Sequence, residues 1–183
     1  MLDEKHLAEQ CKASDTSACR ELYTRYAGRL LSVCTRYLGD VDEAEDVLQE
    51  TFVKIFQTIG KFTYKGEGSL LAWMTRMVVN ASIDVLRKRG RNGTVSLEEV
   101  KDIKESEVTP EGVRKIPLEV LTAMISELPE GYRTVFNMFC LEGYSHKEIA
   151  AKLGIREKSS SSQYFRARAI LAEKINEYLK KNE

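Results

Sequence analysis

The sequence predicts an all-α protein: two small helical domains joined by a flexible linker, the C-terminal one containing a helix-turn-helix. Three observations carry this. Apolar residues recur at helical spacing along most of the chain, and no run alternates as a strand would. Gly90, Gly93, Pro110, Gly112 and Pro117 collect in one segment with scattered charge and few large apolar residues, which reads as a linker. Residues 144–171, YSHKEIAAKLGIREKSSSSQYFRARAIL, read as two short helices around a tight turn.

Taken in order, a first domain over residues 1–91 should hold helices at Glu4–Cys11, Ser17–Leu38, Asp42–Ile59 and Ser69–Lys88. Asp42 is placed to cap the third of these, with Glu45 completing a box-like start that also suits the helix dipole. At about 100° per residue, Ala44, Val47, Leu48, Phe52, Ile55, Phe56 and Ile59 gather on one side as a core face. Opposite them lie Asp46, Gln49, Glu50, Val53 and Gln57. A solvated polar face accounts for most of that stripe; Val53 amid acids and amides suits a docking surface instead. The helix capped at Ser69 buries Leu70, Met74, Met77, Ala81 and Val85. Arg76, Asn80, Ile83 and Arg87 form a neighbouring stripe, and Trp73 packs alongside.

Residues 92–117 follow as linker, with room for a helical turn near Leu97–Ile103. The second domain, 118–183, should carry helices at Leu118–Ser126, Pro129–Leu141, Ser145–Leu153 and Lys158–Leu179. Pro129 suits a first helical turn, where no N–H is missed. Ser145 and Glu148 have the spacing of a capping box. Ile149, Ala150 and Leu153 make one apolar edge, Gly154 fits a left-handed C-terminal position, and Ile155 plugs the corner. In the last helix Tyr164, Ala167, Leu171 and Ile175 face inward, with Ser160 one turn earlier on that face. Lys158, Ser159, Ser161, Ser162, Phe165 and Arg166 face outward, with Gln163 at their border.

A chain of 183 residues that is 43% hydrophobic can build real cores. Its 28 basic and 28 acidic residues cancel, which taken globally disfavours a polyanion partner. The charges are segregated, however. Arg87, Lys88, Arg89 and Arg91 form one basic cluster, and Arg156, Lys158, Arg166 and Arg168 stand against a single Glu157 in another. Local patches set the partners. Cys11, Cys19, Cys34 and Cys140 make no CxxC pair, and His6 and His146 stand at no metal-ligand spacing from them. No metal, no cofactor and no catalytic set is read, there being no P-loop and no nucleophile with a base. Nor does any stretch read as a signal peptide or membrane span, so a cytoplasmic protein without membrane insertion is expected.

The C-terminal helix pair therefore points to DNA. An ordinary helical hairpin would explain its caps and apolar edge but not its arginines. Phe165 exposed between serines and arginine suits a thymine methyl or a sugar, and Arg166 and Arg168 can reach phosphate or base. In the first domain, KFTYKGEGS at residues 61–69 sets Phe62 and Tyr64 beside Lys61 and Lys65. Rings beside positive charge suit single-stranded DNA, although rings that close the core would fit the composition as well. Arg76, Asn80 and Arg87 continue the same track, the arginines to phosphate.

The ensemble resembles a known family. The segments ELYTRYAGRLLSVCTRYLGDVDEAEDVLQETFVKIF, GEGSLLAWMTRMVVNASIDVLRKRGR and ELPEGYRTVFNMFCLEGYSHKEIAAKLGI, in this order, are similar to the two domains of bacterial extracytoplasmic-function (ECF) sigma factors. Residues 17–91 resemble sigma region 2 and residues 118–179 sigma region 4. The resemblance implies a dissociable subunit that directs core RNA polymerase to promoters and opens them, with no hydrolytic chemistry of its own. It implies that Asp46, Gln49, Glu50 and Val53 meet the clamp helices of the largest polymerase subunit. Phe62, Tyr64, Lys65, Arg76, Asn80 and Arg87 would serve the −10 element, whose flipped base the family holds in the loop. Lys158, Ser159, Ser161, Ser162, Phe165, Arg166 and Arg168 would serve the −35 element. Partners implied are core polymerase through the clamp helices and the flap, promoter DNA, and an anti-sigma factor.

The chain departs from the family where Lys158 replaces a frequent glycine and Ser161 a frequent basic residue. Two other classes fit the C-terminal motif alone: a stand-alone helix-turn-helix regulator, and a sigma mimic that binds an anti-sigma factor. The first domain lacks the strand-rich receiver pattern such a regulator would need, and the basic recognition helix speaks against the mimic.

Overall fold

The structure, a computed structural model, describes residues 2–92 and 109–182. Among these residues every regular element is helical. They form two compact units, Met1–Leu86 and Arg87–Glu183.

In the first unit α1 (Glu4–Lys12) and α2 (Thr16–Leu38) form a hairpin across a three-residue turn. Asp15 caps α2 by accepting from the Ala18 N–H, and Ser14 adopts a positive φ of 61° within the turn. Helix α2 ends on Gly39, whose φ of 76° lets its N–H close on the Thr35 carbonyl. The next residue, Asp40, caps α3 (Val41–Thr58) by accepting from the Glu43 N–H. The cap thus falls two residues before the expected Asp42: with a one-residue junction after Gly39, only Asp40 still has the extended backbone a cap needs. A 3₁₀ turn over Ile59–Lys61 ends the element, and a loop leads to α4 (Ser69–Asn92). Leu7, Leu22, Leu30, Cys34, Tyr37, Ala44, Ile55, Leu70, Met74 and Val78 are sealed from solvent at the centre.

Helix α4 buries a different face from the expected one. Leu70, Met74, Val78, Ser82 and Leu86, with Val79 and Ile83, are buried, whereas Met77, Ala81 and Val85 are only half-buried. Ile83, placed in the outward stripe, is 3% exposed. Apolar residues cover more than one side of this helix, so two stripes compete, and a serine decides between them. Ser82 is fully buried because its hydroxyl donates to the Val78 carbonyl at 2.9 Å and bonds the Cys34 thiol. Burial pushes that thiol up to about 11.

In the second unit a short helical turn falls within the segment read as linker. Thr109 accepts from the Gly112 N–H at 3.1 Å and starts a short α5 (Pro110–Arg114), and Ile116 is buried beyond it. The suggested turn at 97–103 lies outside the described residues. Helices α6 (Leu118–Ser126), α7 (Glu130–Phe136), α8 (His146–Leu153) and α9 (Glu157–Lys181) complete the unit. Pro129 is the cap of α7 rather than its first residue, and the expected helix to Leu141 finishes as a π turn over Asn137–Leu141. Ile125, Leu128, Tyr132, Ala167 and Leu171 form the core, with α7 and α8 laid against α9. Arg133 ties α6 to α7 by donating to the Ser126 carbonyl at 2.6 Å.

Candidate functional site

The helix-turn-helix is α8, a turn at Gly154 with φ 70°, and α9. Its first helix starts on a full capping box. The Ser145 hydroxyl takes the Glu148 N–H while the Glu148 carboxylate takes the Ser145 N–H at 2.9 Å, and these bonds hold that carboxyl below its usual 4.5. Gly154 closes the helix by donating to the Ala150 carbonyl.

On α9 four identical serines have four environments. Ser160 is fully buried and its hydroxyl lies 3.0 Å from His146 Nδ1, which pins α9 to the start of α8. Ser159 is half-buried, short of the fully outward placement expected of it. Ser161 is exposed, but its hydroxyl donates back to the Glu157 carbonyl at 3.3 Å. Ser162 is exposed. Together Arg156, Lys158, Ser159, Ser162, Gln163 and Arg166 line an open groove of about 270 Å³.

Arg166 is not a free outward arginine. It is half-buried, and its Nη1 donates to the Tyr132 hydroxyl on α7 at 3.2 Å, which fixes the guanidinium over the groove. Arg168 is exposed, with its guanidinium 5.9 Å from the centre of the Tyr164 ring. Tyr164, expected inside, is half-buried because its hydroxyl meets the exposed Cys140 thiol at 3.3 Å. That burial and the thiol push the phenol up to about 12. Phe165 is 52% exposed. Lys158 is exposed one turn ahead of Ser162. Arg156 and Tyr132 escape a residue-by-residue reading of the sequence: the first counts there only as charge, and the second acts from another helix.

In the first unit Asp46, Gln49, Glu50 and Val53 are all exposed on the α3 face opposite the core, and Val53 is 56% exposed. Along α4, Arg76 and Asn80 are exposed, as is Arg87 at the first residue of the second unit. The loop before α4 corrects one expectation. Phe62 is 5% exposed and its ring sits 5.4 Å from that of Trp73, so it closes the core and offers no face to a base. Tyr64 is half-buried and Lys65 exposed. Burial, then the charges of Glu4, Glu67 and Asp3, raise the Tyr64 phenol above its usual range. Gly66 and Gly68 turn the chain with φ of 122° and 84°.

Ser69 is the expected cap of α4, but the capping group is Glu4, on the first helix. Its Oε2 accepts from the Gly68 N–H and its Oε1 from the Leu70 N–H, both at 2.8 Å. Among the described residues no cluster of His, Cys, Asp and Glu is arranged to hold a metal ion. No helix among them is long and apolar enough to cross a membrane.

Among the described residues an all-helical fold carries a basic helix-turn-helix in one unit and an exposed acidic helix face in the other, the outline of a class of two-domain helical proteins with a helix-turn-helix. Residues 22–92 match the family model for sigma-70 region 2 and residues 118–171 that for sigma-70 region 4. The RNA polymerase sigma-H factor of Pseudomonas aeruginosa is 26% identical over 97% of this chain and 96% of its own. The ECF RNA polymerase sigma-E factor of Haemophilus influenzae is 28% identical over 95% and 96%. The ECF RNA polymerase sigma factor SigM of Bacillus subtilis is 29% identical over 82% and 91%. A solved structure of CnrH in complex with the cytosolic domain of CnrY aligns at 25% identity and a TM-score of 0.49, covering 94% of this chain and 97% of that one. The chain belongs to the sigma-70 family and within it to the ECF sigma factors: it is a transcription initiation factor.

Proposed function

We propose that the protein binds core RNA polymerase through the α3 stripe, reads a −35 element with α9, and opens the −10 element with the loop at 61–69 and the exposed side of α4. The observation that carries the reading is the basic groove on α9, lined by Arg156, Lys158 and Arg166 beside short hydroxyls. A groove of that chemistry takes a phosphate backbone at its rim and base edges at its floor.

The position of the family's usual basic residue is Ser161, which spends its proton on the Glu157 carbonyl; the groove takes its charge from Lys158, three residues earlier, and Arg166, five residues later. Arg166, steadied by Tyr132, is the group best placed for a directed contact to a base. On α3, Asp46 and Glu50 would meet basic groups of the clamp helices while Val53 contributes a small apolar contact at their centre. Strand opening draws on binding energy alone: Tyr64 stacks an unpaired base while Lys65, Arg76 and Arg87 follow phosphates. An anti-sigma factor, common in the family, would act by covering these same faces.

The test is transcription from a promoter library with purified core polymerase. Sequence-specific transcripts that need both protein and core polymerase are expected. DNA binding with no core-dependent transcript would instead indicate a stand-alone regulator.

A further inference from the structure

The loop at 61–69 has two anchors. At its start Phe62 is buried against Trp73. At its end the Glu4 carboxylate, from a helix 64 to 66 positions earlier, takes the N–H groups of Gly68 and Leu70, one on each oxygen. Charge-assisted bonds of this kind are among the stronger ones, and a carboxylate is favoured again at the positive end of a helix. Ser69 extends the clasp inward. Its hydroxyl accepts from the Lys65 N–H at 3.2 Å and lies between the Gly66 carbonyl at 2.6 Å and Glu4 Oε1 at 3.4 Å.

The clasp itself is held in place. Leu7, Ala8 and Cys11 bury one side of α1, and Arg25 on α2 donates to the Leu2 carbonyl at 2.6 Å. Glu4 lies outside the residues matched by the region 2 model, which begin at residue 22. Gly66 and Gly68, with their positive φ values, would otherwise leave the loop free to choose among several shapes.

We propose that Glu4 is a positioning residue for −10 recognition: through Gly68, Leu70 and Ser69 it fixes the loop that presents Tyr64 and Lys65 to the unpaired strand. The inference rests on the proposed role of that loop. Glu4 touches no DNA; it removes alternative loop shapes, so that binding selects one base rather than accepting several. Without the clasp the fold and the α3 face persist, but the loop samples shapes in which Tyr64 is misplaced.

The experiment reconstitutes holoenzyme with wild type, Glu4→Gln, Glu4→Ala and Tyr64→Ala, and measures transcription from one promoter and its single-base −10 variants. Amide hydrogen exchange is measured on the free proteins. Glu4→Ala should bind core polymerase normally and lose about tenfold in selectivity among −10 variants, as expected of a misplaced recognition group. Exchange at Gly68 and Leu70 should rise by about tenfold or more while Val78 and Val79 stay protected. Glu4→Gln keeps the size but only one carbonyl acceptor and should fall between the two. It also serves as the folded comparison if the alanine variant unfolds. Unchanged selectivity in Glu4→Gln and Glu4→Ala, with Tyr64→Ala selectivity lost, overturns the clasp and spares the loop. Tyr64→Ala selectivity matching wild type overturns the loop reading on which the clasp depends.

Discussion

Two helix starts in this molecule use the same pair of side chains, a serine and a glutamate, at very different ranges. At α8 the partners are Ser145 and Glu148, three positions apart, each satisfying the other's backbone N–H or its neighbour's. At α4 they are Ser69 and Glu4, 65 positions apart, with the glutamate brought in by a separate helix. The local cap forms wherever α8 forms. The remote cap exists only if α1 has packed, so it ties the geometry of one loop to the hydrophobic core of its unit. Capping chemistry is common to both; what differs is whether a neighbour or the tertiary fold enforces it.

The sharpest break in the comparison separates the two units by task. Glu50→Arg reverses a charge on the α3 stripe and should abolish co-purification with core polymerase, with helix content by circular dichroism unchanged. Normal co-purification would remove α3 from the docking surface. Next in size is Leu7→Ala, which hollows the fully buried seat of α1. It should cost about 2–5 kcal/mol in denaturant unfolding. The single tryptophan, Trp73 of the first unit, reports that transition. If the remote cap depends on α1, the same variant should loosen the Gly68 and Leu70 amides under native conditions.

In the second unit, Arg166→Ala should weaken −35 binding by roughly tenfold or more, the scale of one directed base contact. Ser161→Ala should weaken it less, because the Ser161 hydroxyl already serves the Glu157 carbonyl. Equal losses in a gel-shift titration at fixed salt would contradict that ranking. The smallest effect is at the local cap. Ser145→Ala should lower stability by about 1 kcal/mol near neutral pH. The Glu148 carboxyl is depressed in the folded state, so its contribution is present above its usual 4.5 and is lost as pH falls through the lower folded value. Thermal melts of wild type and variant should therefore draw closer as the pH is taken well below 4, the gap that remains being the Ser145 hydroxyl's bond from the Glu148 N–H, which does not titrate.

The same contrast explains what the sequence could disclose. The capping box at Ser145, the left-handed Gly154 and the bounds of Leu118–Ser126 are legible because each depends on residues a few positions apart. The α3 face is legible because a helix with one apolar side has one projection. Helix α4 misleads because its apolar residues allow two, and burial of Ser82 needs a carbonyl and a thiol that spacing does not reveal. Phe62 is open to either role until Trp73 is found against it. Glu4, Tyr132 and His146 act on residues 14 to 66 positions away, beyond what a local pattern carries.

The π turn at Asn137–Leu141 has a consequence for how this protein tolerates insertions and deletions. Such a turn holds one residue more than an α-turn. Here Phe136 and Phe139 both reach Tyr164, at 6.2 and 4.5 Å, and Phe139 stacks on His146 at 4.4 Å. A chain one residue shorter would close an ordinary α-turn and rotate the segment beyond it by about 100°. His146 would then leave Phe139, and Ser160 would lose the ring nitrogen that pins α9. A single deletion, well outside the groove on α9 and altering none of its side chains, would unpin the start of the helix that carries them.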